Sequence, residues 1–111
     1  MGKTIVISIA RNFSRIPAGR YLTDGPYSGE KFREEMLIPA FKDPSINLLE
    51  INFDGTRGYG SSFLEEAFGG LARELKIDAK TIFKKLKLVS NEDDTIISEV
   101  TEYIKRAAAK D

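Results

Sequence analysis

The sequence predicts an α/β protein, a single domain in which helices pack on a small sheet that is mostly parallel or mixed. Two observations carry this prediction. Short apolar, β-branched runs alternate along the chain with longer segments of helical periodicity, which is typical of β-α-β units. The 111 residues suffice for one hydrophobic core, and no repeat, low-complexity segment or linker divides them. We therefore expect residues 1–111 to form one domain.

The N-terminal part is predicted to contain a strand, a loop and a helix. "KTIVISIARNF" has a β-branched core at 4–9 and indicates the first strand. "SRIPAGRYLTDGPYSG" is rich in Pro and Gly, which favours turns at 17–19 and 24–27 with a short strand at 20–23 between them. "SGEKFREEMLIPAFKD" has one apolar face and predicts a helix, whose last turn we expect Pro39 to shorten or kink.

The remaining elements follow from density and periodicity of the apolar residues. "SINLLEINF" is too apolar for simple alternation, which predicts a central strand covered on both faces. "SSFLEEAFGGLARELKI" is the clearest helix. Its pair Gly69 and Gly70 indicates close packing, because each glycine costs a helix about 1 kcal/mol relative to Ala. "DAKTIFKKL" predicts a short helix capped by Asp78. A strand in "KLKLVS" and a helix in "NEDDTIISEVTEYIKRAAAK", capped by Asn91, then close the chain over about 86–109.

The amino-acid composition limits the catalytic groups and metal sites that the chain can form. The chain has neither His nor Cys, which excludes a Ser-His-Asp triad, a thiolate nucleophile and the usual zinc sites. Lys+Arg and Asp+Glu balance at 17 each, so no net charge favours nucleic acid or an anionic membrane. We expect a cytoplasmic, non-enzymatic protein that needs no metal or cofactor, folds as a monomer or weak dimer, and has no membrane span.

"GYGSSFLEEAFGGL", residues 58–71, concentrates the unusual residues of the chain. Ser62 with Glu65 three positions later has the form of a capping box, which is the simplest interpretation. It leaves Ser61, the loop glycines and Arg57 unexplained. Free N–H groups at a helix N-terminus also suit an anion, so phosphate or nucleotide binding at this loop is an alternative. The loop lacks the third glycine of G-x-G-x-x-G and a Walker lysine.

The stretch "LLEINFDGTRGYGSSFLEEAFGGL" resembles the central strand, loop and helix of STAS domains, the fold of bacterial anti-sigma-factor antagonists. Together with "TDGPYSGEKFREEMLIPAF" it resembles more closely a family of bacterial STAS-like domains of unassigned function, over about residues 20–75. In the antagonists, a kinase with a histidine-kinase-like ATPase fold phosphorylates the second of two serines that open the helix. The resemblance therefore implies Ser62 as the candidate phosphoacceptor, with Ser61 beside it.

The resemblance also implies a regulatory module that switches between protein partners, such as an ATPase-kinase or a sensor. Two positions depart from the antagonist pattern. Gly60 stands where an Asp usually precedes the serine pair, and Phe63 stands where a Gly usually follows it. The expected partner-binding loop comprises Asp54, Gly55, Arg57, Gly58, Tyr59, Gly60 and Phe63, and a secondary loop comprises Asp24, Tyr27 and Ser28.

Two other functional classes stay open. The same glycine-rich loop, with carboxylates such as Asp54, suits a small ligand-binding domain or a weak phosphohydrolase. A structural or toxin–antitoxin-type interaction protein with an inert serine pair is the third hypothesis.

Overall fold

The computed structural model describes residues 2–109. One sheet has the strand order β1-β2-β3, and both neighbouring pairs run parallel. Its strands are β1 (Lys3–Ser8), β2 (Ile46–Asn52) and β3 (Leu86–Val89). Parallel neighbours require crossover connections, which helices supply here. The predicted α/β class and largely parallel sheet are confirmed.

Helix α1 connects β1 to β2 and consists of three contiguous segments, Gly29–Phe32, Arg33–Leu37 and Ile38–Lys42. The Ser28 hydroxyl caps it by accepting a hydrogen bond from the Lys31 N–H. The middle segment is a wider π-helix that ends just before Pro39. A proline has no N–H to donate, and its ring crowds the carbonyl four residues earlier in a regular α-helix. The widened turn accommodates Pro39, and the helix is not shortened there.

Helix α2 follows β2 and is likewise continuous, through Ser61–Leu64, Glu65–Gly69 and Gly70–Leu75. It contacts α1 on one side and the last helix on the other. At Gly70 a Cβ atom would collide with the guanidinium of Arg33 from α1. The close packing that the glycine pair predicted is therefore confirmed, and the neighbour is a charged side chain.

Two further helices complete the fold, one between β2 and β3 and one after β3. Helix α3 (Ala79–Lys85) begins at its predicted cap, Asp78, whose carboxylate accepts the Thr81 N–H at 2.9 Å. Helix α4 (Thr95–Ala107) begins later than predicted, and Asn91 is not its cap. The Asn91 N–H donates to Asp54 instead. The predicted helix extended to Lys110, which lies outside the described residues.

The prediction of a short strand at 20–23 is wrong. Leu22–Asp24 forms one 3-10 turn, and the Asp24 carboxylate accepts the N–H groups of Arg20 and Tyr21 at 3.1 and 2.7 Å. These bonds curl the chain and occupy the N–H groups that a strand would offer to a neighbour.

The helices cover one face of the sheet, and the core lies between the two layers. Its fully buried side chains include Leu49, Ile51, Phe32, Leu37, Phe63, Leu64, Phe68, Leu71 and Ile104. The other face is open to solvent, with Val6 of β1 54% exposed. Strand β2 is central as predicted, but it is not covered on both faces, because Leu48 and Glu50 are only half-buried. Within residues 2–109, no helix is long and apolar enough to cross a membrane.

Candidate functional site

The loop after β2 is fixed at its start by the loop that precedes α4. The Asp54 carboxylate accepts the N–H groups of Glu92 and Asn91, each at 2.9 Å. In return the Glu92 carboxylate accepts the Gly55 N–H at 2.9 Å. The bond from the Glu92 N–H, followed by those from Asn91, lowers the pKa of Asp54. Asp54, a candidate catalytic carboxylate from the sequence, therefore anchors two loops to each other.

The middle of the loop depends on left-handed backbone. Gly55 and Gly58 have φ of 96° and 135°, values that side chains other than glycine rarely adopt. Between them, the Arg57 N–H donates to the Arg15 carbonyl at 2.9 Å, which ties this loop to the segment after β1. The Arg57 side chain is exposed, and its guanidinium has no partner within residues 2–109.

Two aromatic residues of the expected partner-binding loop turn inward. The Tyr59 phenol donates to the Phe53 carbonyl at 2.7 Å, and burial raises the pKa of Tyr59 to about 12. Phe63 is fully buried in the core, with its ring 6.0 Å from that of Tyr59. Phe63 therefore packs beneath the loop in the hydrophobic core. It presents no surface to a partner, which corrects its assignment to the binding surface.

The serine pair occupies the first turn of α2 without capping it. The helix begins at Ser61, and the N-cap is Gly60, whose carbonyl accepts the Leu64 N–H at 3.2 Å. Within residues 2–109, no side-chain hydrogen bond closes this end of the helix. The capping box predicted for Ser62 and Glu65 is wrong, because the Glu65 carboxylate binds arginines instead.

The two serines have different surroundings, although both are exposed. Ser61 interacts with the phenol of Tyr103 on α4, which donates a hydrogen bond to Glu99 at 2.7 Å. Those neighbours make the surroundings of Ser61 acidic. The Ser62 hydroxyl has no hydrogen bond to any of residues 2–109. Ser62 is therefore the freer of the two candidate phosphoacceptors.

An ion-pair network that no sequence motif indicated lies directly after the serine turn. Arg33 donates through Nη1 to the carboxylate and the carbonyl of Glu66, both at 2.7 Å. Each of these two side chains is only 11% exposed. Arg20 pairs with both glutamates, and its Nη1 atom lies 2.6 Å from Glu65 Oε1 and 3.2 Å from Glu66 Oε1. Arg73, then Arg20, lowers the pKa of Glu65. The sequence signal was the glycine pair, of which Gly70 makes room for Arg33.

The secondary loop has mainly structural bonds. Ser28 is buried as the cap of α1, and Asp24 closes the turn at Leu22–Asp24. Tyr27 packs edge-on against Phe13 at 5.7 Å between ring centroids. Within residues 2–109, no group of three or more acidic side chains is placed to hold a metal ion.

A family model described as a STAS-like domain of unknown function (DUF4325) matches residues 28–95, more than half of the chain. The match runs from the cap of α1 to the first residue of α4 and includes the serine turn. No curated protein and no solved structure matches the chain. The expected family is confirmed, and the chain belongs to the STAS-like domains of unknown function.

Proposed function

We propose that this domain is a non-enzymatic regulatory module that binds a protein partner through residues 57–62, and that phosphorylation of Ser62 controls this binding. The observation that carries the proposal is the state of Ser62. Its hydroxyl is exposed and unbonded within the described part of the chain, in the first turn of a helix whose preceding loop is fixed. A hydroxyl needed for the fold would be expected to cap the helix.

The helix end also suits a phosphate on Ser62. The first turn of α2 has free N–H groups and the positive end of the helix dipole, both of which favour an anion. Glu65 and Glu66 follow at the i+3 and i+4 positions, the neighbours of Ser62 on the same helix face. Their shared partner, Arg20, therefore lies one turn away. A phosphate carrying a charge of about −2 would compete with the two carboxylates for Arg20.

Exposed apolar residues beside Arg20 extend this surface. Tyr21 and Leu22 are 52% and 57% exposed, and Ile16 earlier in the same segment is 56% exposed. Aromatic and aliphatic side chains presented next to a charged network favour a protein partner. A change in the position of Arg20 would alter the contacts of a partner bound to Tyr21 and Leu22. This gives the phosphate on Ser62 a route to altering affinity.

Catalysis by the same loop is the weaker alternative. The Asp54 carboxylate accepts hydrogen bonds from two backbone N–H groups and from the Asn91 amide, so it is a poor base. No His or Cys is available in the chain to replace it. We expect no turnover of nucleotides or phosphoesters above background. Turnover that disappears in Asp54→Asn would favour a phosphohydrolase.

The likeness of this family to the antagonists suggests the partner, a cytoplasmic ATPase-kinase or a sensor. The test is phosphosite mapping by mass spectrometry on tagged protein isolated from its own cells. We expect phosphate on Ser62 that is absent in Ser62→Ala and retained in Ser61→Ala. Phosphate on Ser61 alone, or on neither serine under any growth condition, would contradict the switch.

A further inference from the structure

A cleft of about 480 Å³ lies on the face of the sheet away from α2, and the proposed function does not use it. It opens at the carboxyl ends of β1 and β2, where open α/β sheets commonly bind ligands. Ser8 and Asn52, which are paired in the sheet register, lie in its wall. Arg11 and Arg15, on the segment that folds back after β1, also line it.

The oxygen acceptors in the cleft are already bonded within the protein. Asp54 accepts N–H groups of Asn91 and Glu92, and Glu92 accepts the Gly55 N–H. The Asn52 side-chain oxygen accepts the Asp54 N–H at 2.8 Å. The Ser8 hydroxyl oxygen accepts the Arg11 N–H at 3.2 Å. The two carboxylates in the wall are therefore committed to the backbone.

The hydrogen-bond donors of the cleft side chains, by contrast, are not bonded within the described part of the chain. The guanidinium groups of Arg11 and Arg15 have no ion pair or hydrogen bond within residues 2–109. The side-chain N–H₂ of Asn52 and the hydroxyl proton of Ser8 are likewise unused in that range. Free donors beside bonded acceptors make a site for a ligand that is rich in acceptors, which means an oxyanion.

We propose that this cleft binds a small molecule carrying a phosphoryl group, held between Arg11 and Arg15. A guanidinium forms paired hydrogen bonds to phosphate oxygens. Because Asp54 and Glu92 are carboxylates in the same wall, these paired hydrogen bonds, and not a net positive charge, carry the proposed binding. Val6 and Ala10 supply an apolar wall, and no aromatic side chain is among the lining residues. The lining therefore suits an aliphatic phosphate and offers no ring on which a nucleobase stacks. The site is independent of Ser62, which lies on the helical layer.

The test is isothermal titration of the full chain with inorganic phosphate and with glycerol 3-phosphate, at ionic strength held constant with sodium chloride. We expect saturable binding that Arg11→Gln and Arg15→Gln each weaken by at least about tenfold, as for loss of a charged hydrogen bond. Both arginines are exposed, so both variants should fold, which circular dichroism checks. Arg106→Gln removes a 72% exposed arginine of α4 that lies outside the cleft, and is the matched control.

Two results would overturn the proposal. One is the absence of saturable heat with both phosphates. The other is an equal loss in Arg106→Gln, which would mean that phosphate binding depends on surface charge and not on this cleft. Partner binding through Ser62 is expected to be unchanged in Arg11→Gln and Arg15→Gln, so failure of either proposal is distinguishable from failure of the other.

Discussion

The first turn of α2 and its middle turns differ in what holds them. In the middle, Glu66 is buried under Arg33, and Gly70 makes room for the contact. In the first turn, Ser61 and Ser62 are exposed, and no side chain caps the helix. One helix thus has a half fixed by tertiary contacts and an exposed end that lacks them. Stability and function are expected to respond separately to substitutions in these two halves.

Breaking the buried pair should have the largest effect. Arg33→Ala leaves the Glu66 carboxylate buried without its main partner, which should lower the free energy of unfolding by about 3 kcal/mol or more. Arg73→Ala is the matched control, since that side chain is 47% exposed and its loss should cost at most about 1 kcal/mol. Urea denaturation measures both. Equal losses would mean that the middle of α2 is not fixed by Arg33.

The two adjacent glycines should respond in opposite directions. Gly70→Ala places a Cβ against Arg33 and displaces it from Glu66, so the melting temperature should fall despite the gain in helix propensity. Gly69→Ala meets the end of the Glu65 side chain, which is 25% exposed and can move aside more easily than the 11% exposed Arg33. That variant should keep or exceed the wild-type melting temperature, with a gain of at most about 1 kcal/mol. A similar drop in both would contradict the assigned role of Gly70.

Acid should loosen the anchored start of the loop before it affects the serine turn. The folded-state pKa of Asp54 is lowered, so its contribution to stability is present above the unfolded value of about 3.9 and is lost as pH falls through the folded value. The protection of the Asn91 and Glu92 amides from exchange, relative to their intrinsic rates at each pH, should therefore fall below about pH 4. Asp54→Asn should flatten this dependence. An unchanged pH profile in that variant would show that another group controls the loop.

The sequence predicted what local periodicity determines. The parallel sheet followed from apolar runs alternating with helical segments, and Asp78 was found as a cap because its partner, Thr81, is three residues away. The family followed from the strand, loop and helix around the serine pair.

The errors arose where a distant residue competes with a local partner. Glu65 could not serve a capping box because Arg20, 45 residues away, takes its carboxylate. Asn91 does not cap α4 because its side-chain amide, like its N–H, donates to Asp54, 37 residues away, and the helix begins only at Thr95. Arg33 looked like one polar position on an amphipathic helix, and only the cost of Gly70 indicated that something had to fit there.

Removing the Ser62 hydroxyl should have the smallest effect on stability. Because it caps nothing, Ser62→Ala should change the free energy of unfolding by less than about 0.5 kcal/mol. A true cap would cost about 1 kcal/mol. A loss of that size in chemical denaturation would restore the capping interpretation.

We propose that the serine turn serves binding and not the fold. The most direct test of this proposal compares Ser62→Asp with wild type, measuring the unfolding free energy and the affinity for a purified partner that wild type captures. Ser61→Asp, beside Tyr103 and Glu99, is the positional control. We predict that Ser62→Asp alters the affinity at least about tenfold while stability changes by less than about 0.5 kcal/mol. Wild-type affinity in Ser62→Asp would contradict the account.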